Sequence, residues 1–144
     1  MHFFSVCDGH GSYGDDVSQF IKMHLSDILR EEIKKHQSSN KEHLYKVIFE
    51  KVYHQCNLNL NQNHQLQTKN SGSTVCSVLL DGNMIHCANI GDSRAVIFSD
   101  NGDKNEIQAK PISNDHKPDL PEEMARIVES GGRVESSYGS KNGP

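Results

Sequence analysis

The chain has 144 residues, 34% of them hydrophobic, no tryptophan and a formal net charge of -4 at pH 7. That length fits one domain, which can bury roughly 70% of its unfolded surface. The acidic balance argues against nucleic acid or an anionic membrane as the main partner, and no apolar run approaches the ~18 residues of a membrane span.

Phe3-Phe4-Ser5-Val6 reads as a buried strand that runs into Cys7-Asp8-Gly9-His10-Gly11. A strand end that stops at a carboxylate and two glycines suits a hard metal ion. The carboxylate supplies a charged oxygen, and glycine lets a backbone carbonyl come close. A histidine two residues on can carry a proton. Asp-Gly-His-Gly alone is also an ordinary tight turn.

After Gly14 the period changes. Val17, Phe20, Ile21, Leu25, Ile28, Leu29 and Ile33 predict one face of a helix from about Asp15 to Lys35. Gln37 to Asn40 reads as a turn, and Ser39 with Glu42 as a capping box for a second helix. Its expected stripe is Leu44, Val47, Ile48, Val52, Cys56 and Leu60. His24, His36, His43 and His54 lie off both stripes and read as solvated. Asn57 to Asn70 reads as a fraying helix end and a surface loop.

Ser73 to Leu80 predicts a buried strand, Asp81-Gly82-Asn83 a hairpin turn, and Met84 to Asn89 the return strand, with His86 a core or edge histidine. Ile90-Gly91-Asp92-Ser93 interrupts the pattern, and Arg94 to Ser99 resumes it. Asp100 to Asn105 reads as a loop and Ile107 to Ile112 as one more strand, with Pro111 near its end. These strands predict a β-meander. After a turn at Asn114 to Pro118, Pro121 to Ser130 reads as a short helix stopped by Gly131. Arg133 to Glu135 could begin another strand, and 136–144 reads as a mobile loop. The fold class is α+β.

The four cysteines, Cys7, Cys56, Cys76 and Cys87, show no C-x-x-C spacing. Buried free thiols in a reducing compartment are expected, without a zinc site. Met1-His2 leads straight into Phe3 without a signal-peptide pattern. The expected localisation is therefore intracellular, cytoplasmic or nuclear, and not secreted.

Five short motifs follow in order: Asp8-Gly9-His10-Gly11, Ser71-Gly72-Ser73-Thr74, Gly91-Asp92-Ser93-Arg94, Asp115-His116-Lys117-Pro118 and Glu129-Ser130-Gly131-Gly132-Arg133-Val134. In this order and at these separations the set resembles the metal-dependent protein serine/threonine phosphatases of type 2C, the PPM family, from Phe3 to about Val134. The resemblance implies part of a four-layer α-β-β-α sandwich, two antiparallel sheets flanked by helices. It implies two Mg²⁺ or Mn²⁺ ions with a third weak site, and phosphoprotein substrates. The family's metal-bridging aspartate falls on Asp8, its carbonyl ligand on Gly9, and its general acid on His10. The aspartate that helps hold a further metal in several members falls on Asp92.

Read without the resemblance, Asp8 is a turn former, His10 a structural histidine and Asp92 a hairpin-turn acid. Arg94, Thr74, Asp115, His116 and Gly131-Gly132 read as structural, with Arg94 in a salt bridge that braces its turn. The family's phosphate-binding arginine and its further acidic ligands find no match. Residues 1–144 therefore read as a partial phosphatase domain, without the N-terminal strands and the C-terminal half. Weak activity and open sheet edges that invite self-association are expected. The rival readings are a non-catalytic type 2C-like binding or regulatory module, and a phosphohydrolase acting on small phosphoesters.

Overall fold

The computed structural model describes residues 1–36, 41–100 and 107–135. The expected turn at 37–40, the Ser39–Glu42 capping box, most of the 100–105 loop and the 136–144 tail lie outside the described residues.

Helix α1 spans Gly14–Lys35, with Asp15 and Asp16 in its first turn and Lys34 and Lys35 in its last, as the helix dipole favours. Helix α2 spans Lys41–Gln62 and so runs past Asn57, where fraying was expected. Leu60 explains the extra turn: it is buried on the same face as Cys56. The α2 stripe is also rotated from the expected one. Tyr45 and Phe49 enter the core, while Leu44 and Val47 are only half-buried. Tyrosine can do so because its hydroxyl finds a partner, donating to Asp81 Oδ2 at 3.0 Å.

Strand β1 (His2–Val6) pairs antiparallel with β4 (Val75–Asp81), which pairs antiparallel with β5 (Met84–Ile90). The strand that follows both helices in sequence is therefore central, which suits its nearly unbroken apolar run. Its alternate residues Val75, Ser77 and Leu79 are buried, two of them in the core cluster with α1 and α2. The fully buried Ser77 hydroxyl is satisfied by Ser5 at 2.9 Å. Short strands β2 (Gly9–His10) and β3 (Gly72–Ser73) pair with each other.

The expected meander breaks after β5. Strands β6 (Val96–Asp100) and β7 (Ile107–Pro111) form their own antiparallel ladder. The break is the turn at Gly91 to Arg94, where Gly91 has φ +94 and the chain leaves the first sheet. The ladder lies across a gap of about 480 Å³ from the sheet's second face, with Phe4, Val6 and Val78 on one side and Ala95, Val96 and Ile97 on the other. Helices, sheet and second ladder form an α+β layer arrangement.

Helix α3 (Pro121–Glu129) starts on proline, as expected. Gly132 N donates to Ile127 O and Gly131 N to Val128 O, each at 2.9 Å, the paired bonds of a Schellman C-cap. Arg133 to Glu135 is irregular rather than a strand. The cysteines are free: Cys56 and Cys76 are buried, and Cys7 and Cys87 half-buried. Among the described residues no helix is long and apolar enough to cross a membrane.

Candidate metal centre

Asp8 leaves β1 and is gripped through its main chain. Its N–H donates to Thr74 Oγ1 at 3.1 Å, and its carbonyl accepts from Thr74 N at 2.9 Å. Gly9 then passes directly under the start of α1. A Cβ placed on Gly9 would stand 2.0 Å from the Gly14 carbonyl oxygen. Only two residues without side chains allow strand and helix to approach this closely. His10 pairs through its backbone with Gly72, and its ring lies over that glycine.

The second acidic turn is tied to the same point. Ser93 Oγ and Thr74 Oγ1 are 2.7 Å apart, so Thr74 joins the Asp8 turn to the Asp92 turn. The Asp92 turn is also anchored from residues 113–117. Arg94 donates through Nε and Nη2 to the two carboxylate oxygens of Asp115, both at 2.8 Å, as a bidentate fork. Asn89 Nδ2 and His116 N both donate to the Gly91 carbonyl, and Ala95 N donates to Ser113 Oγ. The Arg94 guanidinium holds the Asp115 carboxyl below its usual range.

Asp8, Gly9, His10 and Asp92 are all exposed. Among the described residues neither the Asp8 nor the Asp92 carboxylate has an ion-pair partner, whereas Asp115 is paired with both Arg94 and Lys117. Two unpaired carboxylates and the Gly9 carbonyl are oxygen donors of the kind that Mg²⁺ and Mn²⁺ take. As candidate ligands they would fill only part of a coordination shell. Among the described residues no three of histidine, cysteine, aspartate and glutamate come together as a metal site. A cleft of about 1100 Å³ between α2 and β5 reaches His10, Ser71 and Gly72, but neither Asp8 nor Asp92 lines it.

Sequence reasoning placed Arg94 in a bracing salt bridge, and that is where it is. It read Thr74 as structural without seeing that Thr74 holds Asp8 and meets Ser93. Those hydroxyls were visible in Ser71-Gly72-Ser73-Thr74 and Gly91-Asp92-Ser93-Arg94. Asn89 and Ser113 carried no signal at all.

The family described as Protein phosphatase 2C matches residues 1–143. The chain belongs to the protein phosphatase 2C family. It is 35% identical over 134 residues to "Probable protein phosphatase 2C 35" of Arabidopsis thaliana, covering 93% of this chain and 36% of that protein. It is 37% identical over 142 residues to "Protein phosphatase 2C homolog 2" of Schizosaccharomyces pombe, covering 98% and 34%. The chain thus spans about a third of the length of these curated relatives. Among solved structures, the serine-threonine phosphatase 2C from Toxoplasma gondii superposes with a TM-score of 0.58 at 25% identity, over 97% of this chain and 48% of that one. The Mycobacterium tuberculosis serine/threonine phosphatase PstP/Ppp shares the fold at a TM-score of 0.58 and 17% identity, over 90% of this chain and 48% of that one.

Proposed function

We propose that this chain carries part of the metal site of a phosphatase 2C that hydrolyses phosphoserine and phosphothreonine on proteins. Family membership supports the reaction class. The observation that carries the site is the contrast among three turn acids: among the described residues Asp115 is fully paired, while Asp8 and Asp92 have no ion-pair partner. Carboxylates left without a counter-charge on a backbone this heavily tied are suited to a cation. In this reading the Asp8 carboxylate and the Gly9 carbonyl would hold two Mg²⁺ or Mn²⁺ ions, and Asp92 would help hold a weaker third. When bound, such ions would supply an acidified water and offset the phosphate charge.

The phosphate ester loses its bond to the serine or threonine oxygen, and that oxygen must take a proton. His10 is the proposed donor, an exposed imidazole two residues from Asp8. A reducing, intracellular compartment belongs to the same reading, supported by four free cysteines. With three oxygen donors in place, the 144-residue chain itself should turn over weakly or not at all. Self-association is a further part of the proposal, supported by the exposed Phe4, Val6 and Ile85 on the sheet.

The test is hydrolysis of a phosphothreonine peptide with and without millimolar Mn²⁺, beside Asp8→Asn, on this chain and on one extended at both ends. Mn²⁺-dependent turnover lost in Asp8→Asn supports the reading. Silence from both chains favours a non-catalytic module of the same fold.

A further inference from the structure

We infer that Ser93 is a positioning residue for Asp8, acting through Thr74. The inference rests on the reading of Asp8 and Asp92 as metal ligands. The two acids lie on separate turns far apart in sequence, and neighbouring ions held by them need a fixed distance between the two turns. One side chain supplies that link. Thr74 Oγ1 accepts from the Asp8 N–H at 3.1 Å and lies 2.7 Å from Ser93 Oγ. The Thr74 methyl is held too: a Cβ on Gly91 would stand 2.7 Å from it, so the side chain is wedged against the second turn.

Thr74 Oγ1 accepts from Asp8, and the second hydroxyl contact carries one proton between Thr74 and Ser93. With Ser93 gone, Thr74 Oγ1 loses one of its two hydrogen-bond contacts, and the oxygen that accepts from the Asp8 N–H is less firmly placed. Ser93 in turn belongs to the turn that Arg94, Asn89 and His116 anchor. The chain of contacts therefore runs from the Asp115 fork to the Asp8 amide.

The experiment is amide hydrogen exchange at Asp8, read by NMR on the metal-free chain, together with Mn²⁺-induced broadening of the Asp8 and Gly9 signals. Ser93→Ala should raise Asp8 exchange by about fivefold to tenfold, the effect of one lost hydrogen bond, and raise the half-broadening Mn²⁺ concentration in proportion. Ser93→Thr keeps the hydroxyl and should restore both. Ser5→Ala breaks a different hydroxyl pair, with Ser77 between β1 and β4, and should leave Asp8 exchange unchanged. If Ser93→Ala does not fold, Ser93→Cys of nearly equal size takes its place. Unchanged Asp8 exchange in the Ser93 variant overturns the inference, as does equal acceleration in Ser5→Ala. Broadening by Mn²⁺ that ignores Asp8→Asn overturns the metal reading instead, while the exchange rates still decide the Ser93 link.

Discussion

Gly9 and Gly14 meet backbone to backbone. A Cβ on Gly9 would lie 2.0 Å from the Gly14 oxygen, and one on Gly14 would lie 2.5 Å from the Gly9 carbonyl carbon. No rotamer change relieves a clash with main chain, so α1 must shift for either to accept alanine. Gly9→Ala should destabilise by about 1–3 kcal/mol, measured by urea unfolding. It should also weaken Mn²⁺ binding in the fraction that folds. Gly82→Ala is the contrasting case. Nothing stands within 4 Å of its added Cβ, but φ is +60, so the cost should be the ~1–2 kcal/mol of left-handed backbone alone.

Glu32 near the end of α1 takes Lys35, His36 and, across from α2, Lys51. The Lys35 bond leads in lowering its carboxyl to about 2. A depressed folded value means stability that is present above the ordinary 4.5 and lost as pH falls toward 2. Acid titration followed by circular dichroism should show that loss, reduced in Glu32→Gln. At pH 7 the same variant should lose about 1 kcal/mol or less, because the Lys partners are solvated.

Burial pushes the Cys56 and Cys87 thiols up to about 11, and raises Cys7 as well. The thiolate is the reactive form, so native chain at pH 7 should react slowly with a disulfide reagent at these positions. Full labelling should require denaturant. Rapid native labelling at Cys56 would show that α2 opens.

Leu79 is 1% exposed at the centre of β4 and packs in the core with α1 and α2. Leu79→Ala should cost about 2–5 kcal/mol, as read by thermal or urea unfolding. Phe98→Ala, at a residue 67% exposed, should cost far less. Equal losses would mean that the β6–β7 ladder is covered in solution.

Periodicity made α1 legible because its stripe is regular, and Asp81-Gly82-Asn83 made the β4–β5 hairpin legible because a two-residue loop fixes register. What it could not show is partnership between distant segments. Nothing local in His2–Val6 says that it pairs with Val75–Asp81, and nothing in Arg94–Ser99 says that it leaves the sheet. The α2 stripe was misjudged for a related reason: Tyr45 looks polar until Asp81 meets its hydroxyl. At the candidate centre the motifs singled out Asp8, Gly9, His10 and Asp92 as candidates, while the Thr74–Ser93 tie became visible only once the two turns were side by side.

The register of β1 sets an order of assembly. His2 pairs with Leu80 and Val6 with Cys76, so the opening strand must wait for a partner that follows both helices. The α1–α2 pair and the β4–β5 hairpin close over short stretches, and closing long loops is slow. Docking of β1 is then expected to be the late step, the one that brings Asp8 to Thr74. A nascent or partly folded chain would hold much of its core yet lack its acidic turn, so the divalent-ion binding proposed for that turn would report the completed fold.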